Sequence, residues 1–533
     1  MIIDGRINGV TPDSSYDVLI VGGGPAGITL ATELAETGAR IALLESGGDE
    51  FDAATQELND GAVEGNDGEL DLTAVRLRMF GGTSNHWSGR CVPLDPVDFS
   101  RGPGNGLSGW PIGRAELDPF YARAHEYCDL GSYEYDLEKL VSLPEESFLF
   151  PHHPDIETGI VRQSPPTRFG DKYKDSLAAA TNVHVWFWVN ATHLDFGPDG
   201  ALDGVETSTL TGVFRRFTAR RIVLAGGAIE TARLLMISNL RAGTAYGDAG
   251  GLLGRCYMDH PSGRAAFLHF LEPLGEKVYW ADLKNRQPDG VPLHFILRLS
   301  DRFIAEKNLA NAQFYVTPVA ESDAAQIRRR DAHHSFKALK RIVKWTIGRD
   351  VGARFSLAKE YCDFITNADS FLAEQITPAP QEGVSRALLK YEAEQKPQRS
   401  SYVELGDTVD QLGQPLPVLR WAPTQDDIDS IIESVTWIGR FCGETGLARL
   451  QIEDNADEPY WGMTTAAHQL GVTRMAKKET SGVVDPQCRV FGTRSLYIAG
   501  GGVFPTSGRA NPTLTIVALS IRLADHLKGA LRV

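Results

Sequence analysis

Residues 16–46 read YDVLIVGGGPAGITLATELAETGARIALLES, and this stretch decides the fold. Its residues 18–21 form a short, wholly apolar run, typical of a strand that is buried on both faces of a parallel sheet. Residues 28–37 predict a helix with small residues facing that strand, and residues 39–44 predict a second apolar strand. Strand, glycine-rich turn, helix and strand together predict a Rossmann-like α/β unit.

Three glycines in the turn, Gly22, Gly24 and Gly27, complete the pattern G-x-G-x-x-G. We assign Gly22 to the tight turn, Gly24 to close approach of a pyrophosphate, and Gly27 to packing of the helix on the strand. Glu45 ends the second strand, where its carboxylate is suited to accept hydrogen bonds from an adenosine ribose. The segment predicts dinucleotide binding without deciding between FAD and NAD. A purely structural turn is the alternative interpretation.

The bulk composition excludes several classes of function. A chain of 533 residues predicts two or three structural units, and a net charge of -16 argues against nucleic acid or an anionic membrane as a partner. Six cysteines show no metal-ligand spacing, so we expect buried thiols in a reducing compartment and no metal site. The first 16 residues carry no signal-peptide pattern, and no run reaches the roughly 18 apolar residues of a membrane span. These observations predict a soluble, cytoplasmic protein.

The middle of the chain changes character twice. Residues 76–99 form a polar loop rich in Gly, Ser and Asn, which we expect beside the dinucleotide, and residues 183–227 return to the nucleotide-binding sheet. Residues 263–454 contain strand-like runs that predict a mainly antiparallel sheet. Between those runs, residues 324–374 predict a helical insertion with a basic portion. A solvated helix face is favoured there over a docking arm, because charge runs usually face water.

Eight blocks, in order along the chain, resemble the glucose–methanol–choline (GMC) family of FAD-dependent oxidoreductases. The blocks are VGGGPAG, FGGTSNHWSGR, IVLAGGAIETARLL, LGRCYMDHP, EQKPQRSSYVEL, HQLGVTRM, VVDPQCRVFGTRSLYIAGGGVFPT and NPTLTIVALSIRLADHL. The resemblance implies FAD as the cofactor and a Rossmann-like FAD-binding domain beside a substrate domain. We predict residues 1–135, 183–262 and 455–533 for the FAD-binding domain. Residues 136–182 and 263–454 are predicted for the substrate domain.

The resemblance also implies which residues hold FAD. Gly22, Gly24, Gly27 and Glu45 would bind the ADP half, which Val189 and residues 225–228, beginning with Ala225, would also approach. The flavin ring and ribityl chain would contact Gly81, Gly82, Thr83, Asn85, His86, Trp87, Gly501, Asn511, Pro512 and Thr513. Gly500 stands where many members of the family carry an acid that binds the ribityl chain.

His468 and Asn511 match the catalytic pair of the family. Oxidation of an alcohol requires loss of the hydroxyl proton, and histidine is the side chain best suited to accept a proton near neutral pH. An asparagine can donate to the substrate oxygen as negative charge develops on it. The alternatives are a buried histidine satisfied by a backbone carbonyl, and an asparagine that only begins a turn before Pro512.

Within the family, the chain is similar to pyranose oxidases and glycoside 3-oxidases. The supporting residues are 84–87 (SNHW), 258–261 (MDHP), 394–397 (EQKP) and Asn511, where many alcohol oxidases of the family carry a second histidine. The resemblance implies oxidation of a secondary hydroxyl of a sugar or glycoside, at C2 or C3, to a ketone. O2 or a small or protein acceptor would then receive the electrons. A relative's covalent FAD link would fall on His86, but we expect non-covalent FAD.

Other functions stay open on the sequence alone. They are oxidation of a non-carbohydrate alcohol, a member of the family that keeps FAD without net redox chemistry, such as a lyase, and a flavin-binding partner without turnover. Neither the particular sugar nor a homo-oligomeric state can be read from the residues.

Overall fold

A computed structural model describes residues 1–12, 15–65, 70–104, 106–140, 143–280, 290–319, 383–452 and 462–531. The helical insertion predicted at 324–374 lies outside these residues. In chain order the described strands are β1 Ile2–Asp4, β2 Tyr16–Val21, β3 Ile41–Leu44, β4 Ala62–Glu64, β5 Arg90–Cys91, β6 Ile156–Gln163, β7 Val183–Phe187, β8 Asn190–Phe196, β9 Leu202–Ser208, β10 Phe214–Phe217, β11 Ala219–Leu224, β12 Pro261–Leu274, β13 Leu293–Leu299, β14 Ala312–Pro318, β15 Val384–Ala393, β16 Tyr402–Val409, β17 Pro415–Arg420, β18 Ala448–Ile452, β19 Thr464–Thr465 and β20 Leu496–Ile498. The described α-helices are α1 Pro25–Ala35, α2 Ala53–Gln56, α3 Pro96–Ser100, α4 Arg114–Tyr127, α5 Leu137–Leu140, α6 Phe169–Ala179, α7 Ala228–Ala242, α8 Asp301–Lys307, α9 Gln425–Glu444 and α10 Thr513–Leu531.

A parallel six-stranded sheet forms the first layer of the fold. Its spatial order is β1-β7-β3-β2-β11-β20, and each neighbouring pair runs parallel. The central strands β2 and β3 are almost wholly apolar and buried, as expected for a sheet that is covered on both faces. Helices α1 and α10 pack together, and α10 also contacts α4. The larger hydrophobic core of the described chain surrounds this sheet.

The glycine-rich stretch folds as the sequence predicts, with shifted helix boundaries. The predicted first strand is the last four residues of β2, and the predicted second strand contains β3. The helix begins at Pro25 rather than at residue 28, because proline is favoured at the first helical position and Gly24 serves as the N-cap. It ends at Ala35.

An antiparallel eight-stranded sheet forms the second layer. Its order is β18-β12-β15-β14-β13-β6-β5, with β19 paired to β12. Helix α9 packs on β12 and β18, and a second hydrophobic core lies between the helix and the sheet. A capping box at Thr424 begins α9, because the Thr424 hydroxyl and the Asp427 carboxylate each accept a backbone N–H from the other residue.

Two small sheets complete the described part of the chain. Strands β8, β9 and β10 form an antiparallel sheet, while the hairpin β16–β17 joins β4, which runs parallel to β17. The predicted fold class, a Rossmann-like α/β domain with a second, mainly antiparallel sheet, is confirmed. The exact division of the chain into domains stays a prediction. Among the described helices, none is both long and apolar enough to span a bilayer.

Candidate functional site

A cleft of about 490 Å³ opens at the carboxyl ends of the parallel strands. Its walls include Gly22, Glu45 and Ala225, which directly follow β2, β3 and β11, and Gly500, which is the second residue after β20. Ligands of open parallel α/β sheets bind at this edge, where the loops leave the sheet. The volume lies within the range of cofactor and small-molecule sites.

The three fingerprint glycines have different surroundings. Gly22 has a φ of +114°, and a Cβ there would lie 2.5 Å from the carbonyl oxygen of Ala225. A Cβ on Gly27 would lie 1.9 Å from the carbonyl oxygen of Gly22. Around Gly24, by contrast, the nearest protein atom is Gly82 Cα at 4.0 Å. Gly22 and Gly27 therefore serve the packing of strand and helix, whereas Gly24 leaves room for a ligand.

Glu45 lies at the end of β3 and holds the turn as well as lining the cleft. Its carboxylate accepts the backbone N–H of Gly23 at 2.8 Å and that of Gly47 at 2.9 Å. Burial raises the pKa of Glu45, and the hydrogen bonds from Gly47 and Gly23 oppose that shift. The Ser46 hydroxyl donates a third hydrogen bond to this carboxylate at 3.2 Å. A carboxylate has about four acceptor positions, so these three bonds leave capacity for a ribose hydroxyl.

The segment around His86 forms one wall of the cleft. A 3₁₀ turn, Gly82–Asn85, brings Gly82, Thr83, His86 and Trp87 to the lining. The indole N–H of Trp87 donates to the carbonyl of Thr167 at 2.9 Å. Burial and then the charge of Arg168 lower the pKa of His86 to about 4, so its ring is neutral near pH 7.

Not every predicted site residue reaches the lining. Gly27, Gly81 and Asn85 do not, because the first packs on the β2 turn and the other two hold the loop. A Cβ on Gly81 would lie 2.7 Å from the backbone N of Gly170, and the Asn85 amide donates to the Phe80 carbonyl at 2.9 Å. The remaining predicted residues line the same cleft: Gly22, Gly24, Glu45, Gly82, Thr83, His86, Trp87, Val189, Ala225, His468, Gly501, Asn511, Pro512 and Thr513.

Two further features of the cleft, open backbone positions and unpaired buried polar atoms, suit the binding of a ligand. A Cβ on Gly227 or Gly500 would meet no protein atom within 4 Å, so the backbone at both positions is open to close approach. Four buried polar atoms of its lining have no hydrogen-bond partner among the described residues: His86 Nδ1, Asn190 Oδ1, Thr231 Oγ1 and Asn511 Oδ1. Buried polar atoms are normally paired, so a polar ligand fits these groups. The arrangement suits the dinucleotide that the sequence predicts.

His468 and Asn511 both lie beside the buried carboxylate of Glu392 on β15. The Asn511 amide donates to Glu392 Oε1 at 3.4 Å. Burial lowers the pKa of His468. The charge of Glu392 opposes that shift, whereas the charge of Arg90 adds to it. Gln313 holds the other carboxylate oxygen with a hydrogen bond of 2.6 Å. The two predicted catalytic side chains are thus brought together.

Glu392 is ionised in this setting. Burial by itself raises the pKa of its carboxyl, but the neighbouring His468, His260 and Arg90 outweigh burial and hold the pKa below its ordinary value. A charge at this place favours the protonated form of the histidine beside it. The site can therefore accept a proton on His468 without leaving a buried positive charge unbalanced.

A second histidine, His260, lies directly behind His468. The two Nδ1 atoms are 2.8 Å apart, and His260 Nε2 lies 2.9 Å from the carbonyl oxygen of Gly508. Asp259 Oδ1 accepts the backbone N–H of His260 at 2.7 Å and that of His468 at 2.9 Å. The His260 side chain is fully buried.

The sequence alone predicts no individual role for His260, Asp259, Glu392 or Arg90. Asp259 and His260 are neighbours in the sequence, inside the MDHP block and directly before β12. Their partner His468 is 208 residues away, so only the folded chain brings the two histidines into contact. Glu392 is an acid at a buried position near the carboxyl end of β15, and such a residue is unusual in a core unless it is paired.

Two family profiles match the chain. Residues 397–520 match the family described as GMC oxidoreductase, and residues 15–54 match an FAD binding domain. The first match contains His468 and Asn511, and the second contains the glycine fingerprint and Glu45.

Individual relatives agree with these profiles. The chain is 22% identical to 2-methyl-1,2-propanediol dehydrogenase of Mycolicibacterium austroafricanum over 97% of its own length and 96% of the relative's. It is 31% identical to C-glycoside 3-oxidase of Arthrobacter globiformis over 25% of this chain and 26% of that relative. The fold is similar to that of a formate oxidase crystal structure, with a TM-score of 0.56 at 20% identity, covering 98% of this chain and 99% of the other.

Proposed function

The chain belongs to the GMC oxidoreductase family, and on that premise we propose that it oxidises a secondary hydroxyl of a sugar or glycoside, at C2 or C3, to a ketone. It is an FAD-dependent oxidoreductase of CH–OH groups. FAD, when bound, supplies at flavin N5 the acceptor for the hydride that leaves the carbinol carbon, and O2 or another acceptor takes the two electrons afterwards.

In this proposal the chain's own residues handle the proton and the oxygen. His468 accepts the proton of the reacting hydroxyl, so that the O–H bond breaks as the C=O bond forms. Asn511 donates its amide N–H to that oxygen while negative charge develops on it. Glu392 keeps its charge beside the new imidazolium and holds one amide hydrogen of Asn511.

The observation that carries the proposal is the meeting of His468 and Asn511 at one carboxylate within the dinucleotide cleft. A base and a hydrogen-bond donor on one wall are what hydride removal from an alcohol needs. A structural histidine would not need an ionised carboxylate beside it, because burial of a neutral ring requires only hydrogen-bond partners.

The polar wall beside this pair supports a hydroxylated substrate. Arg90 lines the cleft with its guanidinium over the ring of Tyr315, and the Tyr315 hydroxyl donates to Glu392 at 3.3 Å. A positively charged donor, a neutral hydroxyl and a carboxylate thus lie close together. Such a mixture of hydrogen-bonding groups suits a sugar ring with several hydroxyls. The identity to a C-glycoside 3-oxidase points the same way. A cytoplasmic location is part of the proposal and rests on the sequence alone.

The test is anaerobic reduction of the bound flavin, followed by its absorbance. Free sugars, O- and C-glycosides and simple alcohols are offered in turn to the FAD-loaded protein. We expect fast bleaching by at least one carbohydrate. We also expect a loss of about 10²- to 10⁴-fold in the reduction rate in His468→Ala, because the base is removed. The matched control, His269→Ala on β12 outside the cleft, should reduce at the wild-type rate.

One observation favours a second candidate, oxidation of a non-carbohydrate alcohol. The match to 2-methyl-1,2-propanediol dehydrogenase runs over nearly the whole chain, whereas the glycoside oxidase match covers a quarter of it. Bleaching by small diols or aryl alcohols, with none by carbohydrates, would establish this candidate and contradict the first. No bleaching by any alcohol would contradict both.

A further inference from the structure

We propose that His260 is a positioning residue that fixes the tautomer of His468, so that Nε2 of His468 is the base for the reacting hydroxyl. This inference rests on the proposed function, because it names the atom that accepts the proton in that reaction. It follows from two hydrogen bonds and the rule that each nitrogen of a neutral imidazole is either a donor or an acceptor.

The carbonyl of Gly508 fixes which nitrogen of His260 carries the hydrogen. A carbonyl oxygen only accepts, so His260 Nε2 at 2.9 Å must carry the hydrogen and donate it. The opposite assignment would place two lone pairs against each other in a fully buried place, at a cost that buried polar groups rarely bear.

Burial disfavours the charged form of His260. Burial, and then the neighbouring His468, lower the pKa of His260, while the carboxylates of Glu392 and Asp259 oppose that shift. A neutral His260 with its hydrogen on Nε2 has a lone pair on Nδ1. That lone pair faces His468 Nδ1 at 2.8 Å.

His468 must therefore donate from Nδ1, which leaves the lone pair on Nε2. This nitrogen makes no hydrogen bond with a described residue, and His468 lines the cleft. The substrate proton passes from the hydroxyl oxygen to Nε2. The resulting imidazolium still donates from Nδ1 to His260, so the new charge keeps its acceptor. Asp259 fixes the pair in place, because one carboxylate oxygen accepts both backbone N–H groups.

Four groups outside the ring of His468 bear on how it titrates. Glu392 on β15 raises its pKa, and Arg90 on β5 lowers it. His260 and Asp259 lie behind it, directly before β12. Of these, only His260 accepts a hydrogen bond from the ring, so its removal changes both the tautomer and the basicity.

Two variants separate positioning from a merely structural role. His260→Leu removes the acceptor, so we expect the reduction rate at saturating substrate to fall by about 10- to 1000-fold with little change in KM. The acidic limb of kcat/KM against pH should move to lower pH, because the imidazolium loses its acceptor. His260→Gln offers a carbonyl oxygen to His468 and an N–H to Gly508, and it should restore much of the rate and the wild-type limb.

The tautomer of His468 can also be measured directly in the wild-type protein. This measurement does not require a His260 variant to fold. The FAD-loaded wild-type protein is labelled with ¹⁵N-histidine, and the His468 signals are assigned by their loss in His468→Gln. We expect a protonated Nδ1 and an unprotonated Nε2. The reverse assignment, or a wild-type acidic limb and rate in His260→Leu, would overturn the inference. Absence of flavin reduction in the wild type would instead overturn the proposed function, and the ¹⁵N reading would still decide the tautomer.

Discussion

His86 shows how a single residue can report on the cleft. Its ring lines the cofactor wall, its Nδ1 has no hydrogen-bond partner among the described residues, and its pKa is lowered to about 4. A neutral ring with a free lone pair is compatible with non-covalent contact to FAD. It is also what a covalent link through this nitrogen would require, so the two modes need a chemical test.

The lowered pKa makes a prediction for stability against pH. In the fold the pKa is about 4, against an ordinary value of 6.5, so between these values the unfolded chain binds the extra proton. Stability therefore rises with pH across this window and is lost as the pH falls through it. We expect the Tm of His86→Gln to fall less between pH 6.5 and pH 4 than that of the wild type, as measured by thermal unfolding.

His269→Gln, outside the cleft, is the matched control and should follow the wild-type slope. Parallel curves for His86→Gln and the wild type would contradict this account of His86. Acid precipitation of the wild type gives a separate answer on the link, because non-covalent FAD stays in the supernatant.

At the scale of elements, the turn from β2 into α1 contains glycines with two separate tasks. Gly27 has no room for a Cβ because the Gly22 carbonyl lies 1.9 Å from that position, whereas Gly24 has open space toward the cleft. Gly24 also has ordinary backbone angles, with a φ of -82°, so alanine is not strained there.

These differences predict that the same substitution, glycine to alanine, has a different effect at each of the two positions. Gly24→Ala should leave the unfolding of the cofactor-free protein nearly unchanged and weaken FAD binding at least tenfold, about 1.4 kcal/mol, because the methyl group enters the cleft. Gly27→Ala should lower stability itself, because helix and strand must separate. Titration of the cofactor-free protein with FAD and thermal unfolding measure the two effects. Equal loss of stability in both variants would contradict the division of roles.

The elements differ in how far the sequence predicts them. The unit from β2 to β3 is predictable because its signals are local: an apolar strand, a glycine turn and a helix of small residues. Strand β1 carries no such signal, since three residues at the chain start become a strand only by pairing with β7. The same holds for β20, a short apolar run that completes the sheet beside β11.

The candidate site divides in the same way. Motif spacing identifies His468 and Asn511, and the structure brings them to one carboxylate. His260 could not be assigned a partner from the sequence, because its contact to His468 joins positions 208 residues apart. The role of Glu392 could be assigned only by knowing which face of β15 lies toward His468 and Asn511, and that face depends on how the sheet packs.

On the scale of the whole molecule, an ion-pair network joins separate sheets around the cleft. Glu230 on α7 binds Arg76 and Arg78 at 2.7 Å each, and Arg233 on the same helix binds Asp410 at 2.7 Å. Asp410 lies in the turn of the hairpin β16–β17, which also pairs with β4. The network therefore ties the hairpin to the helix that follows β11.

We predict that Asp410→Asn loosens this end of the cleft. Both partners of the Arg233–Asp410 pair are buried, at 4% and 5% side-chain exposure, so loss of the carboxylate should cost about 3 kcal/mol. Flavin should also dissociate faster, because Asp410 and Arg233 line the cleft. Chemical denaturation and the rate of flavin release measure the two effects.

The exposed pair Arg216–Asp195 offers a control. Asp195→Asn should cost less than about 1 kcal/mol and leave flavin release unchanged, because that pair is solvated and lies outside the cleft. A similar loss in both variants would show that burial of the Asp410 pair has no special effect.

The parallel sheet joins pieces from both ends of the chain, since β1 begins at Ile2 and β20 ends at Ile498. During synthesis on the ribosome, β2, β3 and β11 are made long before β20. The edge of β11 therefore has no partner strand until β20 has been made. Contacts between such distant positions also carry a large loop-closure cost and slow the search for the native state. The protein should therefore depend on the segment that contains β20 for assembly as well as for chemistry, and nascent chains should expose the edge of β11 until β20 has been synthesised.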